Sequence, residues 1–94
     1  MSDLLLELED IVRRRRAEGP EGSYAVALLD DPELLLRKVM EEAFEVCLEL
    51  HRQPTDSGRV AEEAADLLFH LVVGLVGAGV PVADVASVLE ARRR

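Results

Sequence analysis

The chain has 94 residues, enough for one domain (residues 1–94) and too few for two. Of these 49% are apolar and 32% charged, which excludes disorder and predicts a soluble folded protein. The net charge of −8 excludes nucleic-acid binding through a basic surface, without excluding a nucleotide as substrate. Tyr24, Phe44 and Phe69 are the aromatic residues, so the core is predicted to consist of Leu, Val and Ala, which suits helix packing. The single cysteine, Cys47, makes neither an internal disulfide nor a zinc site and fits a reducing cytoplasm. The acidic start MSDLLLELED predicts no signal peptide. The apolar run Leu67–Val82 is interrupted by His70, Gly74, Gly77, Gly79 and Pro81, which argues against a membrane span.

Asp3–Glu18 places Leu5, Leu8 and Val12 at helical spacing, and Gly19-Pro20 ends the helix. The run Arg13–Arg16 lies in its last turns, where positive charge suits the helix dipole. It reads as a solvated helix end, with a phosphate contact as the alternative. A short helical turn is expected over Ser23–Leu29. Asp31-Pro32 then supplies an N-cap and a first-turn proline for a long helix reaching about Arg52. Gln53–Gly58 is a turn-rich linker. The next helix is predicted from about Gly58 to Ala78, ended by Gly77 and Gly79. Pro81 opens a last helix running into the basic terminus Arg92–Arg94. No strand pattern competes, so the fold class is all-α, a bundle of four to five helices.

On the long helix after Pro32, Lys38, Glu41, Glu42, Glu45, Glu49 and Arg52 share an arc of about 100°. Leu36, Val39, Met40, Ala43, Val46, Cys47 and Leu50 take the other side, so Cys47 is expected in the core. Taken alone, this is an amphipathic helix with a wet acidic face. The helix after Gly58 is apolar on every side, from Val60 to Val76, and such a helix is expected to be buried. Yet Glu63, Asp66 and His70 form a stripe along it at i, i+3 and i+7. An ionised carboxylate is costly to bury unless it is paired or binds a metal. The short linker makes the two helices antiparallel neighbours, so Glu42 and Glu45 face Glu63 and Asp66 across one groove. Lys38 alone is too little countercharge for four carboxylates. Oxygen ligands without nitrogen or sulfur indicate Mg²⁺ or Mn²⁺. His70 reads as a core histidine bonded to a neighbouring carboxylate or backbone group.

Glu42-x-x-Glu45, seventeen residues, then Glu63-x-x-Asp66 resembles the all-α, MazG-like nucleoside-triphosphate pyrophosphatases. SYAVALL (Ser23–Leu29), KVMEEAFEV (Lys38–Val46), EEAADLLFHLVV (Glu62–Val73) and the final LEARR narrow this to a resemblance to the phosphoribosyl-ATP pyrophosphatases, from about Leu4 to Arg93. The departures include Met40 where the family commonly has Gly, and Asp30-Asp31 where a glycine turn is usual. The resemblance implies Mg²⁺-dependent hydrolysis of phosphoribosyl-ATP to phosphoribosyl-AMP and pyrophosphate, the second step of histidine biosynthesis. It also implies a cytoplasmic enzyme separate from the cyclohydrolase to which this domain is often fused, in a bundle completed by homodimerisation. Dimerisation also suits 94 residues with an apolar helix to cover. The metal ligands implied are Glu42, Glu45, Glu63 and Asp66. Glu41 or a ligand glutamate, Glu42 among them, takes the proton from water. Lys38 either contacts a phosphate or pairs with Glu42. Ser23 and Tyr24 contact substrate, Tyr24 being alternatively a packed aromatic with its hydroxyl at the surface. Arg13–Arg16, Arg37, Arg59 and Arg92–Arg94 are candidates for the second ribose phosphate. Two other readings stay open: a house-cleaning pyrophosphatase of noncanonical nucleotides, and a noncatalytic helical interaction module without metal dependence.

Overall fold

The structure, a computed structural model, describes residues 3–19 and 21–93. Five helices follow one another: α1 (Asp3–Glu18), α2 (Tyr24–Leu29), α3 (Pro32–His51), α4 (Ser57–Ala78) and α5 (Val82–Ala91). No strand occurs among the described residues, as an all-α fold requires. Pro20 of the expected Gly19-Pro20 stop, and Arg94 of the basic terminus, lie outside the described residues. No single helix is long and apolar enough to cross a membrane, and α4 and α5 are bent by 106° from one another.

Short polar side chains start three of the helices. Ser23 Oγ accepts from the Val26 N–H at 3.4 Å, Asp31 Oδ1 from Leu34 at 3.1 Å, and Asp56 Oδ1 from Arg59 at 3.2 Å. Each satisfies a first-turn N–H that has no helical acceptor. Helix α4 ends at Gly79, whose φ of 73° is left-handed, and the Val80 N–H returns to Leu75 O at 2.9 Å. This is the glycine-ended close that a Cβ would strain. Gly77, expected to help end the helix, lies inside it; a Cβ there would come within 3.2 Å of Leu29 Cδ2, so its smallness lets α2 approach α4. Helix α5 stops at Ala91 with Arg92 as its C-cap, so the basic terminus is not helical throughout.

Helix α5 has no side-chain cap of its own. Glu9 of α1 supplies one from across the chain: its Oε2 accepts from the Val82 N–H at 2.7 Å. Arg16 of α1 donates to Val76 O at 3.1 Å, in the last turn of α4. A carboxylate thus meets a helix start and a guanidinium a helix end, the signs that the helix dipoles favour. Of the arginine run, Arg16 is therefore a helix cap. Arg13 and Arg14 pair with Glu9 and Asp10 one turn back, at 3.4 and 3.1 Å.

The core consists of Val12, Leu28, Val72, Val73, Val76 and Val82, flanked by Leu5, Leu8, Leu29, Leu34, Leu35, Phe69 and Leu75. Helices α1, α2, α4 and α5 therefore build it, and α3 adds only Leu34 and Leu35 from its first turn. The expectation that α3 buries its apolar side is wrong for the single chain. Met40 and Phe44 are 63% and 64% exposed, and Leu36, Cys47, Leu48 and Leu50 are exposed with them. Helix α3 turns its charged side to α4, and its one buried residue is Glu49. Cys47 is accordingly a surface thiol rather than core. Helix α4 is likewise not buried all round: Ala61, Ala65, Leu68 and Leu71 are exposed, Ala65 and Leu68 along an apolar hollow shared with Leu4, Leu8 and Ile11 of α1.

Candidate functional site

Helices α3 and α4 leave the Gln53–Asp56 connection antiparallel, which brings equivalent turns of the two helices side by side. Glu42 and Glu45 occupy adjacent turns of α3, and Glu63 comes to them from α4. Each offers a carboxylate oxygen, and these three oxygens lie within 4.8 Å of one another. Asp66 stands one turn beyond Glu63 and is exposed. It is not part of this close trio, but its charge acts on both Glu42 and Glu63.

The trio carries a deficit of donors. Glu42 Oε2 and Glu63 Oε2 are buried and have no hydrogen-bond partner. Burial pushes the Glu42 carboxyl above its ordinary value, and the charges of Glu45 and Asp66 push it further, with His70 opposing. Glu63 is raised to about 7, first by the hydrogen bond it shares with Glu45, then by burial and by the charges of Glu45, Glu42 and Asp66. Like charges crowded into a half-dry groove disfavour the ionised form. A hard divalent cation would reverse that preference and satisfy the orphaned oxygens, and the all-oxygen donor set fits Mg²⁺ or Mn²⁺.

Lys38 lies 3.6 Å from Glu41 Oε2 on the exposed surface of α3. Its ion pair is thus with the residue at i+3, not with Glu42 at i+4. Ser23 is at the start of α2, where its Oγ caps Val26. Tyr24 stacks on Phe69 with ring centroids 6.0 Å apart, and its hydroxyl is 2.8 Å from His70 Nε2. The hydroxyl is therefore engaged within the chain, although the residue is half exposed.

His70 is buried and satisfied on both nitrogens. Its Nδ1 lies 2.7 Å from Asp66 O, and a carbonyl only accepts, so Nδ1 carries the proton. In the neutral ring Nε2 then accepts from Tyr24. The backbone-bonded core histidine expected from the sequence is what the structure holds, and it ties α2 to the turn of α4 that bears Asp66.

Glu49 is the functional candidate that the sequence did not single out. It was expected on the wet face of α3, but it is 4% exposed. Arg52 donates to it from Nε at 3.0 Å and from Nη2 at 3.2 Å, and Arg59 Nε of α4 lies 3.3 Å away. Arg52 at i+3 is a local signal for such a pair; Arg59 joins it only through the helix pairing. Of the surface hollows, the one beside Arg13, Arg16, Ala17, Val76, Gly79 and Pro81 holds about 580 Å³, and none of the carboxylates lines it.

A five-helix chain with paired carboxylate turns on antiparallel neighbours has close relatives in sequence. The profile of the phosphoribosyl-ATP pyrophosphohydrolase family matches residues 5–93. A phosphoribosyl-ATP pyrophosphatase of Pyrobaculum arsenaticum is 45% identical over 93 residues, covering 97% of this chain and 96% of that protein. One from Methanosphaerula palustris is 44% identical, covering 97% and 93%. One from Pyrobaculum neutrophilum is 43% identical, covering 98% and 97%. With the profile spanning every helix that builds the groove, the chain belongs to the phosphoribosyl-ATP pyrophosphohydrolase family.

Proposed function

We propose that the chain hydrolyses phosphoribosyl-ATP to phosphoribosyl-AMP and pyrophosphate, the second step of histidine biosynthesis, with Mg²⁺ held by Glu42, Glu45, Glu63 and Asp66. Family membership supports the substrate. The observation that carries the site is the carboxylate trio with two buried oxygens lacking donors. When bound there, Mg²⁺, or Mn²⁺ in its place, supplies neutralising charge for the triphosphate oxygens and a seat for water. Asp66, exposed and one turn along α4 from Glu63, would be the fourth ligand.

The bond broken is the anhydride between the α- and β-phosphates. Glu41 stays outside the trio, which leaves its lone pairs for the proton of the attacking water; a carboxylate committed to a cation, such as Glu42, is the weaker base. Lys38, beside Glu41, reaches a phosphate oxygen from the exposed edge of α3. Ser23 keeps its hydroxyl proton for a substrate oxygen, since its cap uses only a lone pair. Tyr24 presents its half-exposed ring to the substrate, oriented by His70 and Phe69. An exposed Cys47 thiol suits the cytoplasm, the compartment proposed.

The exposed apolar side of α3 supports a homodimer. Leu36, Met40, Phe44 and Leu48 are too much contiguous apolar surface for a free helix face. Sedimentation of the native chain as a dimer and of Phe44→Glu as a monomer is the expected outcome.

Pyrophosphate release from phosphoribosyl-ATP, ATP and dCTP, with and without Mg²⁺, tests the function. Turnover of phosphoribosyl-ATP alone, dependent on Mg²⁺ and lost in Asp66→Asn, is expected. Turnover of the plain nucleotides in its place identifies a house-cleaning pyrophosphatase, and Mg²⁺-independent turnover removes the metal from the proposal.

A further inference from the structure

Glu49 is a buried carboxylate under two half-exposed guanidiniums: its side chain is 6% exposed, those of Arg52 and Arg59 54% and 56%. The other ion pairs among the described residues join one cation to one anion three or four positions apart in the chain. Here two cations share one buried anion, with the charge of Asp56 also acting on Arg52. The position of this cluster is specific. Glu49 follows Glu45 by one turn of α3, and Arg59 precedes Glu63 by one turn of α4, about 6 Å along the helix axis. The arginine pair and the carboxylate trio therefore lie in line along one groove.

We propose that Glu49 is a positioning residue that holds Arg59, with Arg52 beside it, as the contact for the outer phosphates of a polyphosphate whose reacting end lies at Glu42, Glu45 and Glu63. This rests on the reading of those carboxylates as the metal-polyphosphate site. Arg59 meets Glu49 through Nε, so both its Nη groups remain for an outside oxygen, and a guanidinium fork suits phosphate. The hydrogen bond from Arg52, with Arg59 adding to it, holds the Glu49 carboxyl below its ordinary value, so the buttress stays ionised at neutral pH. An arginine fixed in this way loses less side-chain freedom on meeting a phosphate than a solvated one does.

The competing role is a clamp that only sets the register of α3 against α4. The two roles part in Arg59→Ala, where Arg52 still pairs with Glu49 and no buried charge is orphaned. Calorimetric binding of inorganic pyrophosphate in excess Mg²⁺ is the primary readout, with Mg²⁺ binding alone as its control. Arg59→Ala is expected to weaken pyrophosphate roughly tenfold or more, the scale of a charge-assisted hydrogen bond, and Arg59→Lys to recover part of this. KM for phosphoribosyl-ATP should rise with it while kcat stays within about threefold of the native value. Unchanged pyrophosphate affinity in folded Arg59→Ala overturns the proposal, as does a loss matched by an equal loss of Mg²⁺ affinity. If the native chain binds no Mg²⁺, the carboxylate reading fails separately. Pyrophosphate binding that still depends on Arg59 then sustains the arginine contact, and its independence of Arg59 overturns it.

Discussion

The two ends of the α3–α4 groove treat the same chemical group in opposite ways. At one end Glu49 is buried beneath Arg52 and Arg59, and its carboxyl is held below its ordinary value. One turn away, Glu63 meets Glu45 and Glu42 in place of arginines, and its carboxyl is pushed up to about 7. Both are glutamates on long helices, Glu49 on α3 facing α4 and Glu63 on α4 facing α3. What differs is whether the chain itself supplies the countercharge. Where it does, the contact is complete as folded; where it does not, the fold carries a deficit that an external cation removes.

That contrast predicts the largest effect for Glu63→Gln. Pyrophosphate release should fall on the order of 10²–10³-fold, the scale of losing a main electrostatic contact in an active site. Without metal the same change should leave the melting temperature unchanged or raise it, because it removes a repelling carboxylate. Glu49→Gln should do the reverse to stability, lowering the melting temperature by removing the charge that its two arginines require. If both substitutions shift stability in the same direction, the two ends are not electrostatically distinct.

The apolar core is the reference outside the groove. Leu28 of α2 is fully buried in the cluster with Val12 of α1 and Val72, Val73 and Val76 of α4, and Leu28→Ala should cost about 2–5 kcal/mol in chemical denaturation. Its remaining folded fraction should keep its Mg²⁺ affinity, since Leu28 touches none of the carboxylates.

The pH dependence gives the next test. For Glu63 the folded form binds more protons than the unfolded one between the ordinary value of 4.5 and about 7. Its contribution is thus fully present below 4.5 and is lost as pH rises towards 7. For Glu49 the sign is opposite: its contribution is present above 4.5 and is lost as pH falls through its lowered value. Melting of metal-free protein carried from neutral pH to well below 4.5 should therefore show the acid loss in the native chain and not in Glu49→Gln. Added Mg²⁺ should raise the melting temperature more at pH 8 than at pH 5, since at pH 5 protons compete for the same oxygens. Equal Mg²⁺ stabilisation at both values would detach the metal from this cluster.

The smallest effect belongs to Gly79, away from both ends. Gly79→Ala should cost about 1–2 kcal/mol in urea denaturation, because its left-handed backbone admits a Cβ poorly, with KM and kcat unchanged.

Most of the helices were legible locally. Asp31-Pro32 and Gly79 are caps whose chemistry acts within four residues, so spacing alone locates them; Ser23 and Asp56 act as locally but were not read as caps. The facing of Glu42 and Glu45 with Glu63 was legible too, because a short linker between long helices allows few arrangements. Asp66 was grouped with them by spacing, yet it stands outside the close trio. The facing of α3 was misread. Its apolar side looked like core, but periodicity tells which residues share a face and not what that face meets. Glu49 and Cys47 exchanged their expected environments for this one reason.

The sequence by itself determined an all-α chain, its helix limits within a few residues, and two pairs of carboxylates at helical spacing. Those are consequences of local backbone chemistry and of period. Tertiary structure alone decided that Glu9 caps α5, that Arg16 caps α4, that Tyr24 bonds His70 and that Arg59 joins Glu49. Each of these contacts joins different helices, and only their packing fixes which long side chain meets which partner.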